Sequence, residues 1–174
     1  MVAVSSGAGS RQDYKTPDNF MRAVKQKFGT PGWDLAASSH NWQCHYYYDE
    51  IKNSLVQDWA SLETLLWLNP PFNDIAPWAA KCASEVRRGA EILFLVPASV
   101  GSEWFAEHVY QKANVYLLRG RLSFDGKSPY PKDCLLAHYT PRHEVEFRIS
   151  VWDWRKWSDL PMERLERAIA NSDS

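Results

Sequence analysis

Asn69-Pro70-Pro71-Phe72 sets an amide, a backbone carbonyl between two prolines and an aromatic ring in four consecutive residues. Those groups together suit work on an amino group conjugated to a heteroaromatic ring. Such a nitrogen is a poor nucleophile because its lone pair is delocalised into the ring. Two acceptors that take its two hydrogens favour a tetrahedral nitrogen and aim the lone pair at an incoming methyl group. The Asn69 amide and the Pro70 carbonyl can be those acceptors. Pro70 and Pro71 stiffen the turn, and Phe72 offers a face on which a planar base can stack. A methyl group already activated on a sulfonium needs no metal. The same residues are also ordinary turn formers, so their meaning depends on the chain to either side.

On the N-terminal side, Leu65-Leu66-Trp67-Leu68 is an unbroken apolar run of strand length that fits a strand buried on both faces. On the C-terminal side lies a helix that Asn73 or Asp74 can cap, with Ile75, Trp78, Ala79, Cys82 and Val86 on one stripe before Gly89. Upstream, Thr16 can cap a helix that starts at Pro17, carries Phe20, Val24 and Phe28 on one face and stops at Gly29. Trp33 to Ala37 predicts a short strand, and residues 38–60 predict loops with at most one further short strand. Ile92 to Val96 predicts a second buried strand, the residues about Trp104 to Val109 a helix, and Val115 to Leu118 another strand. Alternating strands and helices predict a parallel α/β sheet, whose ligands bind at the carboxyl ends of its strands. That rule brings Asp34 and Asn69 together. An acid at the first strand end can hold a hydroxyl or ammonium group of a nucleoside-like cofactor, although a loop or cap acid explains Asp34 as well. Residues 121–139 and 145–152 predict further strands, antiparallel additions at one edge, and Met162 to Ile169 a terminal helix.

The 174 residues fit one domain with a mobile arm at residues 1–13 and a folded unit over 14–174. A formal net charge of −1 excludes a generally basic protein, so nucleic-acid binding would need a local basic surface. Arg119, Arg121, Lys127 and Lys132 flank a turn near Gly126 and are the candidates for phosphate contact; a solvated hairpin is the plainer explanation. Three cysteines without a C-x-x-C spacing argue for a reducing cytoplasm, and no apolar run is long enough for a membrane span. His40, Cys44 and His45 lack a fourth metal ligand, and no metal is expected.

In order along the chain, several segments resemble the phage-type DNA N6-adenine methyltransferases, the Dam-like family. They are Tyr14-Lys15-Thr16-Pro17, Phe28-Gly29, Trp33 to Ala37, Asp58-Trp59, Leu68 to Phe72, Trp78, Leu95-Val96-Pro97, Trp104-Phe105 and Leu118 to Phe124. The resemblance spans residues 14–139. It implies a Rossmann-like S-adenosylmethionine-dependent methyltransferase fold, with an abbreviated, mostly parallel sheet and antiparallel C-terminal strands. It implies methylation of the adenine amino group in double-stranded DNA, with base flipping into the Asn-Pro-Pro-Phe pocket, in the cytoplasm of a bacterial host of a phage or prophage. S-adenosylmethionine contacts pass by resemblance to Thr16, Pro17, Asp34 and Ala36, with Asn69 near the donor as well as the base. Asp49 and Asp58 are the acids available for the donor ribose or adenine, Asp58 being preferred. Ala36-Ala37-Ser38 stands where such enzymes usually have a glycine-rich turn. Asp34 and Asn69 are also too close in sequence for two full strand-helix units between them. The alternatives are the same chemistry on RNA or on a protein glutamine, and a noncatalytic phage protein that binds nucleic acid.

Overall fold

The structure, a computed structural model, describes residues 14–141 and 146–158. The N-terminal arm and the predicted helix at Met162 to Ile169 lie outside the described residues. Among the described residues, seven strands form a single sheet in the order β2-β1-β3-β4-β6-β5-β7. These are β1 (Trp33–Asp34), β2 (Tyr46–Tyr47), β3 (Leu65–Leu68), β4 (Glu91–Pro97), β5 (Asn114–Leu118), β6 (Cys134–Tyr139) and β7 (Ile149–Trp152). The first four are mutually parallel. β6 runs against both β4 and β5, so β5 shares the common direction, as does β7, its parallel neighbour. β6 is antiparallel as expected, but it lies inside the sheet; the edge strand β7 is parallel.

Side-chain alternation along the central strands builds a core on each face. Ile92, Phe94 and Val96 of β4 point to one face with Leu66 and Leu68, under α2 (Ala76–Glu85) and α3 (Glu103–His108). Leu93 and Leu95 point to the other face with Trp67, under Phe20 and Val24 of α1 (Asp18–Phe28). A short α4 (Arg155–Ser158) packs on α1. Two helix termini differ from expectation. Thr16 does not cap α1, whose N-cap position is Pro17. Neither Asn73 nor Asp74 caps α2, which begins beyond Ile75 with a proline in its first turn. Ser102 does cap α3, its side chain accepting from Phe105 N at 3.3 Å.

Between Asp34 and Asn69 the chain is abbreviated, as the spacing requires. It holds β2 and two 3₁₀ turns, Ser54–Val56 and Ala60–Leu62, where a fuller sheet would carry helices. β1 and β3 approach closely where Gly32 N donates to Leu65 O at 2.9 Å. A Cβ on Gly32 would fall 2.6 Å from Thr64 Oγ1, so glycine is needed there for space.

Candidate functional site

The carboxyl ends of β1, β2 and β3 open onto a cavity of about 700 Å³, within the ~300–1,000 Å³ usual for small-molecule sites. Leu35 to Asn41 form the wall after β1, Tyr48 to Glu50 the wall after β2, and Asn69 and Pro71 the wall after β3; Trp78 of α2 closes it. Ala36 and Ala37 leave the backbone approachable, and Asp49 stands at the end of β2 with Oδ1 accepting from Lys52 N at 3.0 Å. Ile51, almost fully exposed, is an apolar side chain at the rim.

Asp34 shapes this cavity without lining it. Its Oδ1 accepts from Ala36 N at 3.2 Å and its Oδ2 from Gln43 N at 3.0 Å, which ties the post-β1 loop to the strand end. Burial pushes its carboxyl up to about 6, against the opposing pull of the Gln43 and Ala36 amides. Asp58 does not reach the cavity. It is half exposed and paired with Arg88 at 2.8 Å, and that hydrogen bond holds its carboxyl below the usual value. Asp49, two residues beyond β2, lines the cavity, and Asp58 does not.

Asn69 sits where the cavity meets the turn. Its Nδ2 donates to Tyr14 O at 2.8 Å and to Thr16 Oγ1 at 3.1 Å, while its Oδ1 is buried with no hydrogen-bond partner among the described residues. Thr16 is buried and engaged with Asn69; neither Thr16 nor Pro17 lines the cavity. Pro70 is buried as well.

Phe72, partly buried, joins an aromatic cluster. Its ring centroid lies 5.7 Å from those of Tyr14, Phe124 and Tyr130. Those three are 5.1–5.7 Å from one another, so all four rings touch. The loop after β5 supplies two of them: Tyr130 N donates to Leu122 O at 2.6 Å, and Asp125 Oδ1 accepts from Lys127 N and Ser128 N at 2.8 Å each. Sequence reasoning gave Phe72 a stacking role and gave none to its three partners, which come from the segment before α1 and the loop after β5. The available signal was the aromatic residue at both Phe124 and Tyr130 in a polar loop.

Arg119, Arg121 and Lys127 come after β5, which runs parallel to β3, and so stand at the same edge of the sheet as Asn69. All three are exposed. Arg119 lies 3.8 Å from Asp153 and Arg121 3.2 Å from Asp133.

A family model described as DNA N-6-adenine-methyltransferase (Dam) matches residues 6–137. A DNA N-6-adenine-methyltransferase of Escherichia phage T1 is 26% identical over 115 residues, covering 66% of this chain and 48% of the relative. The chain thus spans about half the length of that protein. A putative methyltransferase, YfdM, of Escherichia coli K12 is 33% identical over 69 residues, covering 37% of this chain and 71% of the relative. Among solved structures, the Type IIL restriction-modification enzyme MmeI in complex with DNA superposes with a TM-score of 0.44 at 12% identity, over 65% of this chain and 20% of that one.

Proposed function

The chain belongs to the DNA N-6-adenine-methyltransferase (Dam) family, and from that premise we propose that it transfers a methyl group from S-adenosylmethionine to the amino nitrogen of adenine in double-stranded DNA. The observation that carries this is the Asn69 amide oxygen. It is a buried acceptor with no partner among the described residues, at a strand end beside a cavity of ligand size. A lone buried acceptor costs about 1–3 kcal/mol, a cost that a substrate N–H would offset.

The cavity fits the methyl donor in chemistry as well as volume. The Asp49 carboxylate would take ribose hydroxyls, Ala36 and Ala37 would let the backbone approach, and Ile51 and Trp78 would flank an apolar ring. When bound, S-adenosylmethionine supplies a methyl group on a positively charged sulfur. Asn69 Oδ1 and the Pro70 carbonyl would each accept one amino hydrogen, turning the nitrogen lone pair toward that methyl group. The C–S bond breaks as the C–N bond forms, and one amino proton leaves through these hydrogen bonds to solvent.

Adenine must leave the helical stack to reach Asn69. Phe72, Tyr14, Phe124 and Tyr130 are the faces that would receive it. They touch one another, so a base entering between them would part the rings. Arg119, Arg121 and Lys127 would hold phosphates beside that opening.

The test is incubation of unmethylated duplex DNA with methyl-labelled donor, followed by nucleoside analysis. Label is expected on the adenine amino group, and Asn69→Ala should lower kcat by about a hundredfold or more while still binding S-adenosylhomocysteine. Label on cytosine, transfer only to RNA or protein, or a fully active Asn69→Ala would sink the proposal.

A further inference from the structure

Asn69 reaches its site with the donor half of its amide already engaged. A side-chain amide nitrogen carries two hydrogens. Here Tyr14 O takes one at 2.8 Å and Thr16 Oγ1 the other at 3.1 Å. Tyr14 O is a backbone carbonyl and has no proton to give. Turning the amide over would press Oδ1 against it, lone pair to lone pair. The orientation is therefore dictated by chemistry, which settles the oxygen-nitrogen ambiguity of amides. Thr16 is itself fixed: its side chain is buried, and its carbonyl accepts from Gln43 Nε2 at 3.3 Å.

We infer that Thr16 is a positioning residue that makes Asn69 an acceptor-only group. The Tyr14 carbonyl sets which way the amide faces, and the Thr16 hydroxyl occupies its remaining N–H. Oδ1 is then the one polar atom Asn69 presents to a substrate. The inference rests on the reading of Asn69 as acceptor of the target amino group, and it adds a basis for selectivity. A base with an amino group at that position meets an acceptor. A base with a carbonyl there meets another lone pair and is rejected. It also gives Thr16 a role other than donor contact. The hydroxyl is spent on Asn69, and the residue is not part of the cavity wall.

Thr16→Val removes the hydroxyl with little change of shape, Thr16→Ala removes it by a second route, and Thr16→Ser keeps it. In ¹⁵N-labelled free protein the Asn69 side-chain amide signal can be assigned by its loss in Asn69→Ala. Its exchange with solvent should quicken about tenfold in Thr16→Val and Thr16→Ala, and stay near the parent in Thr16→Ser. In DNA methylation, kcat should fall about tenfold in both hydroxyl deletions and recover in Thr16→Ser, with the Kd for S-adenosylhomocysteine moving less than about twofold. Thr16→Val should cost nothing further once Asn69 is alanine. An Asn69 amide signal indifferent to the hydroxyl, or a donor Kd that weakens in step with kcat, overturns the inference. A fully active Asn69→Ala would instead overturn the functional reading beneath it, so the two failures are distinguishable.

Discussion

Asp34 is the residue whose chemistry most exceeds its appearance in the sequence. An acid at a strand end invites a role against a ligand, yet both of its oxygens are spent on backbone amides of its own loop. Its carboxyl is nonetheless pushed up to about 6 from 3.8, because burial outweighs those two bonds. Between those values the unfolded chain has released the proton and the native state retains it. The contribution of this group to stability therefore falls as pH rises from about 4 to about 6, and is constant above. The shift corresponds to about 3 kcal/mol. Asp34→Asn cannot titrate. The stability of this variant relative to the parent, from urea melts, should therefore increase by about that amount across the same interval. A difference that stays flat or decreases would show that burial does not control this carboxyl. Asn69 was legible in the sequence because its meaning is local, a strand ended by two prolines. The hydroxyl that backs it was not, since Thr16 lies 53 positions away and its side chain has the ordinary signature of a helix cap.

Elements position these residues through one charged row on α2. Lys81 and Glu85 fall on one side of the helix, and Arg88, at the end of the 3₁₀ turn Val86–Arg88 that continues it, reaches the same carboxylate. The Glu85 carboxylate, nearly fully buried, accepts from Lys81 Nζ at 2.7 Å, from Arg88 at 3.1 Å and from Ala60 N at 3.0 Å. Lys81 also donates to Gln57 O at 2.7 Å and lies 5.3 Å over the Trp59 ring. Together these contacts clamp residues 57–60 to α2, and the same stretch of chain runs back to the cavity wall at Tyr48 to Ser54. Glu85→Ala would leave two cations and a backbone amide without their shared acceptor. With Arg88 half exposed, the loss should be about 2 kcal/mol, below the ~3–5 typical when a fully buried pair is broken. Affinity for S-adenosylhomocysteine should weaken with it, as calorimetry would read; unchanged stability and affinity would mean that the clamp is idle. The strands that carry the site were only partly legible. β3 and β4 announce themselves as apolar runs because both their faces are covered. β1 was expected as a short strand over Trp33 to Ala37 but is only two residues long beside β3, and β2 exists through pairing with β1, which no local pattern records. The interior place of β6 is likewise a matter of partner choice, which its own residues do not reveal.

Across the whole molecule, the sheet gathers the cavity, Asn69, the aromatic cluster and the post-β5 cations along one edge. A formal net charge of −1 gives DNA no general electrostatic attraction to the chain. Affinity on the proposed reading must then come from few phosphate contacts, and each contact should be visible in the salt dependence. Arg121 is the informative case. It stands at the sheet edge that carries the site but is paired at 3.2 Å with Asp133, an exposed bridge worth ~0–1 kcal/mol that a phosphate can displace. Arg121→Ala should weaken binding to duplex DNA of any sequence and reduce the slope of log Kobs against log salt by about one. Asp133→Ala should act in the opposite sense on affinity, because it frees the same guanidinium and removes a negative charge from the path of the duplex. Lys127→Ala should resemble Arg121→Ala. Neither cation should alter binding of S-adenosylhomocysteine, since neither lines the cavity. If salt titrations of the three variants superpose on the parent, duplex DNA does not cross this edge. The opening toward Asn69 would then have to be approached from another side, and the aromatic cluster, not the cations, would set the orientation of the bound strand.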